Sequence, residues 1–481
     1  MSYALFVPHA LLIVAAVLFL IFWKNVRAQE VVSFVFSSVL LVFAGFILYK
    51  VKSQGIQVLQ VGSWPAPYGI TLVADLTSAL LLLTSSIVYW SINIYSFYFL
   101  DQQRKQRGYY FYANLILLGA IGVFLTGDLF NLYVSFELLL ISSFALLTLG
   151  QSREEIRQAI PYVAMNLLSS LAFLVGIGLI YGHSGNLNIA YLSSLLRNSE
   201  WTYGIRTASV FLFFAFALKS SMFPLFFWLP RSYAAVPAGI AALFSCLLTK
   251  AGVYSFLRIF SYIFPIVRDP TLQQIFYYCA LLTMVVGVVG ALAQSTFKRI
   301  LTVHIMSQVG YMLWGFCLFS PLALAGTLFF IVHNMIVKVI LFMVSGIVEK
   351  HKLLTFVFFL SALSLAGLPP LSGFFAKLFL LKAGVDFEDW LGVGVAMLVS
   401  LMTLLSMNKI WNEVFFKEKT QKEIHSNKTL PLKSLFPVLF LSVVSLLIAF
   451  YSRSVFDLFM QAGETLFHPL DYREAVLGED V

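Results

Sequence analysis

The chain has 481 residues, of which 60% are apolar and 11% charged, with a formal charge of +9. So few polar side chains cannot coat even one soluble domain of this length, which makes the chain an integral membrane protein. The positive charge belongs with basic loops at an anionic membrane surface rather than with nucleic acid, and Cys246, Cys279 and Cys317 stand singly in apolar segments without metal or haem spacing.

Windows of about 19 residues predict an all-α integral membrane fold of about 14 transmembrane helices. They fall at 3–23, 31–49, 74–98, 110–127, 129–149, 161–182, 207–230, 236–260, 273–293, 300–320, 322–348, 353–383, 390–412 and 434–452. The first is long enough to span and has no small-residue cleavage site behind it, so it reads as a span rather than a signal peptide. Loops after odd-numbered spans carry 18 of the 31 Lys and Arg residues, against nine on the other side. The excess places the odd loops in the cytoplasm and both termini outside the cell membrane.

Taken in chain order, the spans contain polar groups that a bilayer tolerates only for a reason. Glu137 lies in SFELLL, Lys219 in FALKSS, Lys250 in LLTKAG, His304 in LTVHIMSQ, His333 and Lys338 in IVHNMIVK, and Lys377 in GFFAKLFLL. Four lysines at helix centres cost on the order of 10–14 kcal/mol of insertion free energy. A snorkelling or locally paired side chain is the plain alternative, and it suits Lys338 or His304 better than Glu137 and Lys219, which lie near the middle of their spans. A lysine in a low-dielectric site gives up its proton more readily, and a carboxylate about 4 Å away restores the charged form by about 4 kcal/mol. A chain of such groups with histidines between them is a proton relay. Phosphate loops, HExxH and nucleophile triads are absent from the sequence, and no carboxylate set suits a sodium cage, so neither metal nor cofactor is predicted.

Prolines interrupt two of these spans. Pro224 cannot donate to the carbonyl of Ser220, one residue beyond Lys219. Gly367, Pro369, Pro370 and Gly373 precede Lys377 in AGLPPLSGFFAKLFLL. Broken helices in a membrane line cavities or bury against protein. Two of them five spans apart suggest two inverted five-helix repeats, spans four to eight matching nine to thirteen, although one lysine precedes its proline and the other follows. The expected units are 1–109 for the first three spans, 110–260 and 273–412 for the repeats, and 413–481 for the last span and tail.

The stretches GDLFNLYVSFELL, FWLPRSYAAVPAGIAALFSCLLTKAGVY, KRILTVHIMSQVGYM, HNMIVKVILFMVSG and AGLPPLSGFFAKLFLL together resemble the antiporter-like subunits shared by complex I, membrane-bound hydrogenases and Mrp-type cation/proton antiporters. Within that group, residues 62–83 and 223–237 are most similar to the D-type Mrp subunits, and Phe226 and Phe227 lie where complex I relatives usually carry His. The resemblance implies that Glu137 and Lys219 form a modulating ion pair. It further implies that Lys250 and His333 continue the path and that Lys377 delivers protons to a second half-channel. Lys338 and His304 take supporting roles, and Asp128 in TGDLF either takes up protons or caps the fifth span. The resemblance also implies a multisubunit assembly in lipid, with protons moving in this chain and sodium passing wholly or partly through partner subunits.

The connection from Gly346 to Leu353, GIVEKHKL, is shorter than the family's usual linker with its GGL-like turn. About 29 residues follow the last span, so neither the long lateral helix of the largest complex I relative nor the extra domains of the A-type Mrp relatives are expected. The alternatives are a proton-pumping subunit of a redox-driven complex and a non-conducting scaffold. The scaffold reading would expect the midplane lysines to be lost, and they are present.

Overall fold

The computed structural model describes residues 2–197, 199–347, 352–416 and 431–478. Its N-terminal part comprises α1 (Val7–Ile21), α2 (Val26–Gln54), a hairpin of β1 (Gln57–Gln60) and β2 (Thr71–Ala74), α3 (Leu76–Phe99) and the short α4 (Gln102–Gln106). There follow α5 (Tyr109–Leu125), α6 (Leu129–Thr148), α7 (Arg153–Ser184), α8 (Ile189–Leu196), α9 (Tyr203–Ser220), α10 (Trp228–Ala235) and α11 (Ala238–Tyr262). The rest is α12 (Pro270–Leu292), α13 (Phe297–Cys317), α14 (Pro321–Ser345), α15 (Lys352–Ala366), α16 (Ser372–Asp386), α17 (Trp390–Ile410), α18 (Leu432–Phe450), α19 (Ser452–Phe467) and α20 (Leu470–Leu477). Each predicted span has a helical counterpart, and among the described residues ten helices are individually long and apolar enough to cross a membrane. The fold is that of an all-α, multi-pass membrane protein with one small antiparallel hairpin, Gln57 opposite Ala74 and Gln60 opposite Thr71.

Helix starts follow local chemistry. Asp75 accepts from the Ser78 backbone N–H while Ser78 Oγ returns a bond to the Asp75 N–H, a reciprocal cap that starts α3. Ser152 and Glu155 do the same for α7. Helices α11, α13 and α14 are buried all round, whereas α2, α17 and α18 leave much of their apolar length exposed. A helix that is apolar on every side belongs in a core, and these three form the centre onto which the broken helices pack.

Both predicted breaks are present, and both are full interruptions rather than kinks. α9 ends at Ser220, Ser221 turns left-handed at φ 62°, and the chain becomes helical again only at Trp228. The N–H of Phe223 finds Thr283 Oγ1 of α12 at 2.9 Å, so the irregular stretch is satisfied by a neighbouring helix. α15 ends at Ala366, Gly367 takes φ 90°, and α16 begins after the two prolines. In the series α5, α6, α7, α9/α10, α11 and in the series α12, α13, α14, α15/α16, α17, the broken segment is the fourth.

Arg258 falls inside α11 as a buried side chain. Of the connection 346–353, residues 348–351 lie outside the described residues, as does 417–430 of the basic loop before α18.

Candidate functional site

Lys219 sits in the last turn of α9, where the helix dipole favours a cation. Its Nζ lies over the Phe136 ring at 4.7 Å from the centroid. A cavity of about 20 Å³ beside it is lined by Phe136, Tyr162, Asn166, Lys219, Trp228 and Leu248. That volume accommodates about one water molecule.

The expected Glu137–Lys219 ion pair is not formed: among the described residues the ion pairs within 4.0 Å are Arg104–Asp101, Arg104–Glu155, Lys105–Glu30 and Arg258–Asp75. The reason is helical phase. Phe136 and Glu137 are successive residues of α6 and point about 100° apart, so the helix that lays Phe136 under the ammonium turns Glu137 aside. The Oε1 of Glu137 is buried without a hydrogen-bond partner.

Helix α11 reaches this site through a glycine. A Cβ on Gly252 would lie 2.7 Å from the backbone N of Ser220 and 2.9 Å from the carbonyl carbon of Lys219. Only glycine allows α11 to approach the end of α9 so closely, and the same helix carries Lys250 half a turn away. Gly252→Ala is therefore expected to force the helices apart and lower stability by about 1–3 kcal/mol, read as a fall in the melting temperature of the purified protein.

Lys250 and Lys338 are fully buried, which excludes snorkelling for Lys338. Lys250 Nζ donates to Ser245 O at 2.9 Å and Lys338 Nζ to Leu301 O at 3.2 Å. Each ammonium group thus has one backbone carbonyl acceptor. The two lysines lie on the packed helices α11 and α14. The helix of His304, α13, packs against α14 with His333 and Lys338, and α14 packs against α16 with Lys377. His304 is also fully buried; its Nε2 contacts Ser406 Oγ, while its Nδ1 has no partner.

Between these groups lie polar side chains that sequence reasoning did not single out. Both amide atoms of Gln308 and of Asn334, and Ser307 Oγ, are buried without hydrogen-bond partners. Gln308 is one turn from His304 on α13, and Asn334 is next to His333 on α14. Buried amides of this kind are ordinarily satisfied by ordered water. The signal was present in HIMSQ and HNMIVK, where an amide accompanies each histidine.

At the second break, Lys377 reaches back. Its Nζ donates to Ala366 O, the last residue of α15, at 2.9 Å and to Ser400 Oγ of α17 at 2.9 Å, and it lies 5.0 Å from the Tyr311 ring centroid. Lys377, which follows its prolines, thus brings its ammonium to the C-terminal end of the first half-helix, the part of α9 from which Lys219 springs. His333 Nδ1 meets Ser372 Oγ in the first turn of α16 at 2.9 Å, and Ser372 also contacts Ser364 Oγ at 3.2 Å and Ser445 Oγ at 3.1 Å. A hydroxyl chain thus joins His333 to α15 and α18.

Asp128 caps α6, accepting from the Asn131 N–H at 2.8 Å. Burial raises its carboxyl above the ordinary aspartate value, against the backbone hydrogen bonds of Asn131 and Phe130. Among the described residues there is no cluster of three or more His, Cys, Asp or Glu side chains able to hold a metal ion.

A bundle with two interrupted helices, each with a lysine at the break, and a buried line of Lys, His and amide side chains between them defines a class of membrane transport protein. Residues 126–403 match the family model described as NADH:quinone oxidoreductase/Mrp antiporter, TM, and the chain belongs to that family. It is 38% identical to the D subunit of the Na(+)/H(+) antiporter of Alkalihalophilus pseudofirmus over 477 residues, 96% of each chain. It is 36% identical to the like-named protein of Bacillus subtilis, over 98% of this chain and 99% of the relative. Among solved structures, a chain of the Mrp complex from Dietzia sp. DQ12-45-1b superposes with a TM-score of 0.91 at 30% identity, over 99% of both chains. A chain of an archaeal membrane-bound sulfane sulfur reductase gives 0.92 at 24% identity, over 99% of this chain and 100% of that one, a likeness of fold alone.

Proposed function

We propose that this chain is the proton-translocating subunit of a multisubunit sodium/proton antiporter in the cell membrane, not an enzyme. The observation that carries the reading is the buried line from Lys219 at one break to Lys377 at the other. It runs through Lys250, Lys338, His304 and His333, with the unpartnered amides of Gln308 and Asn334 beside it. Glu137 sets the charge at Lys219 from outside contact distance, so a small shift of α6 against α9 would bring the carboxylate to the ammonium or withdraw it. Lys250 and His333 carry the proton onward, Lys377 hands it to the second half-channel, and Lys338, His304 and Asp128 support the path. Water hydrogen-bonded to the amides and to the Ser364, Ser372 and Ser445 hydroxyls would complete it.

The helices of 110–260 and 273–412 act as two inverted repeats, each contributing one half-channel. Both termini lie outside and the basic loops inside. The partners are the other subunits of the complex, which hold all or part of the sodium path. The fold is shared with a chain of a respiratory complex and does not itself separate an antiporter from a redox-driven pump; the full-length identity to D-type antiporter subunits favours the antiporter. Everted vesicles from antiporter-deficient cells, carrying the chain with its co-encoded partners, test this reading. Sodium added to an acidified lumen is expected to collapse the pH gradient, whereas a complex that moves protons only with an electron donor would assign it to a redox-driven pump.

A further inference from the structure

A second cavity, of about 680 Å³, opens where the start of α7, the second half of the broken segment at α10, and the α12–α13 connection meet. Its lining includes Arg157, Arg231, Lys298 and Arg299, with Glu154 as the carboxylate among them. Lys298 is engaged by Val236 O, and Glu154 accepts from Gln158 Nε2 at 2.7 Å. The three guanidinium groups make no hydrogen bond or ion pair within the described chain. Convergent like charges around one cavity repel each other, and an anion relieves that repulsion. Thr296, the N-cap position of α13, makes no side-chain cap, so the positive end of a 21-residue helix adds to the same field.

The cavity is continuous with an apolar strip. Arg157 heads a face of α7 that carries Ile160, Leu167 and Leu171 at helical spacing, exposed by 66%, 49% and 62%. Charge at the head and aliphatic surface below is the complement of a phospholipid, not of a free ion. We propose that this cavity binds the phosphate headgroup of an anionic phospholipid whose acyl chain lies along that face of α7. The three arginines donate hydrogen bonds to the phosphate oxygens. None of these residues belongs to the proton path, so the proposal stands or falls apart from it.

The test is native mass spectrometry of the delipidated complex, titrated separately with phosphatidylglycerol, phosphatidylcholine and inorganic phosphate. The wild type is expected to retain phosphatidylglycerol over phosphatidylcholine, and Arg157→Gln/Arg231→Gln/Arg299→Gln is expected to retain it about tenfold less well. Glu154→Gln, which removes a negative charge from the rim, is expected to retain it better, and this variant decides the matter if the triple variant does not assemble. Equal retention in all variants would overturn the proposal. Displacement of the lipid by low-millimolar inorganic phosphate would overturn the lipid assignment in favour of a free anion.

Discussion

Lys377→Ala is expected to cut sodium-driven proton movement by at least about tenfold while the complex still assembles, since a positioned proton carrier commonly contributes two or more orders of magnitude in rate. The side chain joins the end of α15 to α17: its ammonium bridges Ala366 O and Ser400 Oγ beside the Tyr311 ring. Truncation leaves the carbonyl at the break without its cation, but water entering from the hydroxyl-lined side can still satisfy it, so the loss falls mainly on transport. Lys377→Arg is expected to assemble as well and to be equally impaired in transport, because a guanidinium keeps its proton. Equal transport by Lys377→Ala and the wild type, at matched amounts of assembled complex, would remove this residue from the path.

The largest effect on stability is expected at Arg258. It pairs with Asp75 through Nη1 at 2.5 Å and Nη2 at 3.0 Å, while Tyr254 and Tyr262 supply hydroxyls at 2.7–3.0 Å and Tyr472 lies 5.3 Å from the guanidinium. The cluster fastens α11 to the start of α3 and to α20. Both charges are buried, so Arg258→Ala leaves an uncompensated carboxylate and is expected to cost about 3–5 kcal/mol. Asp75→Asn/Arg258→Met removes both charges and is expected to recover much of that loss, which thermal unfolding of the purified complex would show. A double variant no more stable than Arg258→Ala would mean that the tyrosine contacts, not the ion pair, hold these helices.

Much of this architecture is legible in the sequence because bilayer spans are read by length and composition, and a lysine in a span stands out against apolar neighbours. The breaks are legible because proline removes a donor wherever it stands. Less local features escape such reading. Asp75 and Arg258 are 183 positions apart, and only the Tyr254–Arg258–Tyr262 spacing of four hinted at a common face. The β1–β2 hairpin and the amphipathic α19 are too short or too polar to register in a span-length window. The serines that receive His333 and Lys377 had no distinguishing signal, because serine in a membrane helix ordinarily bonds its own backbone. The separation of Glu137 from Lys219 depends on the phase of α6 against α9, which composition does not reveal. The unequal placement of Lys219 and Lys377 around their prolines resolves only when the second side chain is seen to reach back to the end of its half-helix.

In the proposed path protons cross this chain by way of the lysine at the first break. Its most direct test is sodium-dependent dissipation of a pH gradient in everted vesicles, comparing wild type with Lys219→Ala at equal complex assembly. A clear response is expected in the wild type and its loss in the variant. A response that survives the loss of Lys219 would contradict it.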